Sequence, residues 1–68
     1  MNIRHYDIDY DYIIRTVDSK KYRYESRYDD LTIVYENIKN QYYISVEKYN
    51  ASETVVIDTK HIVSVEYY

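Results

Sequence analysis

The chain contains no glycine and no proline, so its turns must form without the two residues that usually punctuate a fold. Positive-φ positions then fall to Asn and Asp, which tolerate the left-handed region at some cost. The same absence removes whole classes of chemistry. A P-loop, a dinucleotide fingerprint and a G-x-S-x-G elbow all need glycine. Cysteine is missing too, which excludes a thiol nucleophile, a disulfide framework and a thiolate metal site.

What the chain has instead is strand-forming residues. Ile, Val, Thr and Tyr make up 32 of the 68 residues, twelve of them Tyr. Branched and aromatic side chains fit a pleated, half-buried surface. Tyr6, Ile8, Tyr10 and Tyr12 alternate with Asp7, Asp9 and Asp11, which predicts a strand with an apolar face and a carboxylate face. Ile13 and Ile14 interrupt the alternation, and a β-bulge is expected there. Asp18-Ser19-Lys20 marks the first turn. Lys21 to Tyr28 alternates again, with Tyr22, Tyr24 and Tyr28 predicted to face the core.

Leu31 to Glu36 and Gln41 to Tyr49 read as a second hairpin across Asn37-Ile38-Lys39-Asn40. Leu31, Val34, Tyr35 and Ile38 also fit helical spacing, with Asp29 or Asp30 as cap. The consecutive β-branched residues Thr32, Ile33 and Val34 favour the strand. Thr54 to Asp58 is a short strand, Thr59-Lys60-His61 a tight connection of one 3₁₀ turn, and Ile62 to Tyr67 the last strand. The expected fold is all-β: one small domain over residues 1–68, an antiparallel meander or partly open barrel of about six short strands.

From Leu31 onward this order resembles Sm-like and SH3-like small barrels. The stretch Lys60-His61-Ile62-Val63-Ser64-Val65 is similar to the Lys-His signature in the second Sm motif of bacterial Sm-like RNA chaperones. The resemblance implies that Lys60 and His61 contact RNA.

Size and charge narrow the function. A domain of this length has a thin core, so enzymes of the size are rare and a homo-oligomer is one way for such a chain to gain stability. His5 and His61 are the only histidines. Asp7, Asp9, Asp58 and Ser64 near them do not define a convergent ligand set or a triad, and neither a metal nor another cofactor is expected. No apolar run approaches the roughly 20 residues of a membrane span. The first residues lack the order of a signal peptide, so a cytoplasmic location with no membrane partner is expected. The abundance of Ile, Lys, Asn and Tyr with little Ala, Gly or Pro points to an AT-rich genome, as in small accessory proteins of phages and other mobile elements.

Net charge is −3, unevenly spread. Asp7, Asp9 and Asp11 form an acidic row with a repeat of about 6.6–6.8 Å along a strand. That spacing is close to that of phosphates on nucleic acid, so such a row can occupy a basic groove. It can equally pair with the basic strand that follows. Residues 19–28 carry net +3, with Lys20, Lys21, Arg23 and Arg27 interleaved with tyrosines, a pattern suited to single-stranded nucleic acid. Tyr67 and Tyr68 extend the tyrosine surface, and tyrosine is enriched at recognition sites. Two readings follow. The first is a non-catalytic inhibitor that blocks a host nucleic-acid-handling protein, contacting its basic groove through Asp7, Asp9, Asp11, Tyr67 and Tyr68. The alternative is an Sm-like or SH3-like nucleic-acid binder using Lys20, Lys21, Arg23, Arg27, Lys60 and His61.

Overall fold

A computed structural model describes residues 9–68. Five strands and one helix follow in order: β1 (Tyr10–Thr16), β2 (Lys21–Ser26), α1 (Leu31–Lys39), β3 (Tyr43–Lys48), β4 (Thr54–Asp58) and β5 (Ile62–Tyr67). A 3₁₀ turn, Thr59–His61, joins the last two strands. The strands form one antiparallel sheet in the order β4-β3-β2-β1-β5. No ladder joins β4 to β5, so the sheet is open at that seam. This is the small, mostly antiparallel, partly open β architecture expected from the alternation.

Three local expectations fail, each for a physical reason. Residues 31–36 are not a strand but the first two-thirds of α1, so the described residues hold five strands rather than six and the hairpin from 31 to 49 does not form. The β-branched run 32–34 is outweighed by a cap and a core stripe. The Asp30 carboxylate accepts from the Thr32 and Ile33 N–H groups at 2.8 and 3.1 Å, satisfying donors that a helix start leaves orphaned. Val34 and Ile38, one turn apart, are fully buried, and Leu31 packs beside them. The Lys39 ammonium then donates to the carbonyls of Thr59 and Ile62 at 2.8 and 3.1 Å, tying the end of α1 to the 3₁₀ turn and β5.

Nor is there a bulge at Ile13-Ile14. Tyr12, Ile14 and Thr16 keep one inward phase, all buried, while β2 runs opposite without interruption. The register shift falls instead between Arg15 and Thr16, against β5, where the 3₁₀ turn brings the chain back. Finally, β2 ends at Ser26, and Tyr28 is exposed rather than in the core. Buried Ser26 turns the chain there, its hydroxyl accepting from the Tyr28 N–H at 3.2 Å.

The core joins Tyr12 and Ile14 of β1, Val34 and Ile38 of α1, Ile44 and Val46 of β3, and Ile62 of β5. Tyr22 and Tyr24 pack against it from β2. Buried polar groups are matched, as burial requires: the Thr16 hydroxyl donates to Asp18 and the Thr59 hydroxyl to the Gln41 carbonyl. Ser19 is the one residue of positive φ among those described, at 67°. The left-handed position falls to Ser19 in the β1–β2 turn and not to the expected Asn or Asp, and Asn40 at the end of α1 stays right-handed.

Candidate functional interface

The predicted acidic residues sit at the start of β1. Asp7 and His5 lie outside the described residues. Asp9 is exposed just before the strand, and Asp11 is half-buried on it. Asp11 stands directly opposite Glu25 of β2. Facing carboxylates oppose strand pairing, so the arrangement is not explained by sheet stability. Asp29 and Asp30 follow where β2 ends, and both are exposed. Arg23 lies near enough to Asp11 for the carboxylate to raise its pKa further, but its main partner is Glu47 of β3, and that ion pair is the larger cause of the rise. Arg27, also exposed, lies at this same end of β2. Thus the central cation of the basic strand, Arg23, bonds Glu47 of β3 while lying within reach of Asp11, and Glu25 takes the place directly opposite Asp11.

Tyrosines frame this acidic end. Tyr10, Tyr28, Tyr67 and Tyr68 are all exposed. The Tyr67 ring packs 5.8 Å from that of Tyr12, and its hydroxyl donates to the Asp29 carbonyl at 3.3 Å. The Tyr68 N–H donates to the Asp11 carbonyl at 3.3 Å. Beneath them Tyr12 is completely buried and its hydroxyl donates to the Tyr28 carbonyl. Burial pushes the Tyr12 phenol above its ordinary pKa, with Tyr67 and the acidic Asp29 adding to the shift. Glu25, Asp29, Asp30, Tyr10 and Tyr28 join the surface by folding alone. Asp29 and Asp30 carry a signal in sequence only as a turn or helix cap.

Of the predicted basic residues, Lys20 and Arg23 form ion pairs within the chain. Arg15 bonds Glu66 at 2.6 Å, Lys20 approaches Asp18 at 3.8 Å, and Lys48 pairs with Glu53 at 3.2 Å. All three pairs are solvent-exposed, and such pairs hold weakly. Lys60 and His61 are exposed on the 3₁₀ turn, where the His61 carbonyl accepts from the Val17 N–H at 2.8 Å. Asp58 caps that turn through the Lys60 N–H at 2.8 Å, and Ser64 reaches Glu66 at 3.4 Å, so His61, Asp58 and Ser64 do not assemble into one group. Among the described residues, no three His, Asp or Glu side chains converge as metal ligands. Also among them, no helix is long and apolar enough to cross a membrane.

Lys20 and Lys21 do come together with a segment that sequence spacing does not connect to them. The β1–β2 turn and the β3–β4 turn flank a cleft of about 480 Å³, lined by Ser19, Lys20, Lys21 and Tyr22 on one side and Lys48, Tyr49, Asn50 and Ala51 on the other. The pairing of Tyr22 with Lys48 across β2 and β3 sets the two turns side by side. Arg23, Arg27, Lys60 and His61 are not among its lining residues.

Comparison of the chain with protein-family models, curated proteins and solved structures finds no match to it.

Proposed function

We propose that the chain is a non-catalytic protein-binding module whose acidic, tyrosine-framed end docks in the basic groove of a nucleic-acid-handling host protein. In this reading it is an inhibitor of the mobile-element, phage type, acting in the cytoplasm. One observation carries it: Asp11 faces Glu25 across a strand pair while the neighbouring Arg23 bonds elsewhere. A fold that keeps two carboxylates side by side at a small cost in strand pairing holds negative charge ready for an external cation. Exposed Tyr10, Tyr28, Tyr67 and Tyr68 supply large contact area with few rotors, and opposite charge on the partner steers the encounter.

The test is charge reversal read by capture from host lysate, with and without nuclease. Asp9→Lys, Asp11→Lys and Glu25→Lys together should abolish recovery of a basic protein that survives nuclease treatment. Lys20→Glu with Lys60→Glu should leave its recovery intact. The opposite pattern, with recovery lost only when the lysines are reversed, overturns the reading in favour of direct nucleic-acid binding.

A further inference from the structure

A second binding feature lies about 13 Å along β1 and β2 from the Asp11–Glu25 pair, four residues at the strand rise. It is the cleft between the two turns, and it combines the parts that single-stranded nucleic acid needs: a cationic track for the phosphate and an aromatic face for the base. Lys20, Lys21 and Lys48 line one cleft, with Tyr22 and Tyr49 as aromatic lining and Asn50 as a polar edge. The Lys21 ammonium lies 4.2 Å from the centre of the Tyr49 ring, so cation and ring are already held together. Tyr68 meets the same ring edge-on at 6.3 Å, fixing its plane from another side.

The cations are not locked. Lys20 stands 3.8 Å from Asp18 and Lys48 3.2 Å from Glu53, with all four side chains at least half exposed. Pairs this open exchange partners at little cost, and a phosphate offers more acceptor oxygens than either carboxylate. The volume suits a ligand of nucleotide size, since small-molecule sites begin near 300 Å³.

We infer that this cleft binds one nucleotide of a single-stranded nucleic acid, its phosphate on Lys20, Lys21 and Lys48 and its base against Tyr49. The site lies apart from the Asp11–Glu25 pair and shares only Tyr68 with the acidic end, and its test needs no protein partner. The probes are a fluorescein-labelled oligothymidylate and an abasic oligomer of equal length and charge, titrated by anisotropy at low salt, with amide shifts mapped by NMR. The thymidylate should bind about tenfold more tightly than the abasic strand, the difference that one stacked base supplies. Shifts should centre on residues 19–22 and 48–51. Lys20→Gln with Lys21→Gln should weaken both probes, whereas Tyr49→Leu should erase the difference between them. Equal binding of the two probes by the folded wild type overturns the proposal and leaves a general anion surface. So does the absence of binding at low salt, or a shift map centred on Lys60 and His61.

Discussion

Tyr12 shares the alkaline limit of this fold with Tyr24, both phenols being pushed up by burial. The Tyr12 ring is fully buried and its hydroxyl donates to the Tyr28 carbonyl. A phenol whose folded pKa is raised holds its proton more tightly folded than unfolded. Its contribution is therefore complete below the unfolded value, about 10, and is lost as pH rises through the higher folded value. Denaturant unfolding across that range should show stability falling, and Tyr12→Phe should flatten the fall. The same substitution should cost about 1 kcal/mol near neutrality, because the Tyr28 carbonyl loses its donor. Asp18 acts at the other end of the scale. The Thr16 hydroxyl, ahead of its own backbone N–H and Lys20, holds its carboxyl below the usual value. Its contribution is present above the unfolded value, about 3.9, and fades as pH falls through the lower folded one. Thr16→Val should reduce that acid dependence in the same titration. Ser19 offers the reverse case, a change that should stabilise. A left-handed residue with a Cβ costs roughly 1–2 kcal/mol, and glycine's added unfolded-state freedom returns roughly 0.5–1 of that. Ser19→Gly should raise stability by about 0.5 kcal/mol, measurable as a higher denaturant midpoint at constant slope.

Among the elements, α1 is the one whose cap and core stripe can be separated by mutation. Asp30→Ala removes the acceptor for two N–H groups and should cost about 1 kcal/mol. Ile38→Ala empties a fully buried site and should cost about 2–5 kcal/mol. If the core stripe holds the helix, the second loss exceeds the first in calorimetry. The same element marks where sequence reasoning stops. β2, β4 and β5 are legible because residues two apart decide a strand's faces, and Asp58-Thr59-Lys60 carries its own 3₁₀ cap. Leu31–Lys39 offers both periods at once: β-branched residues at 32–34 argue for a strand, while Leu31, Val34 and Ile38 argue for a helix. The choice depends on a core contributed by β1, β3 and β5, which no local window contains. The candidate site divides in the same way. Asp11 and Tyr67 belong to strands that the alternation defines, but Glu25 joins Asp11 only through the β1–β2 register, and Lys48 and Tyr49 join Lys21 only through the β2–β3 pairing.

At the scale of the molecule, the open seam between β4 and β5 makes the sheet unequal across its width. β1 is paired on both sides and carries two of the fully buried residues, Tyr12 and Ile14. β4 is an edge strand in which Thr54 and Val56 are exposed. Protection should follow burial and pairing: amides of Tyr12–Ile14 should exchange last in hydrogen exchange, and those of Thr54–Asp58 among the first of the strand amides. The sheet order also bears on biosynthesis. β1 emerges from the ribosome well before β5, yet β5 is its neighbour on one whole side and the Tyr12 ring rests against Tyr67. Until Ile62–Tyr67 docks, the chain can close the β1–β2 and β3–β4 hairpins but leaves the flank of β1 bare. During that interval the chain is open to a chaperone or to pairing with another nascent copy, and both risks end when the last strand docks.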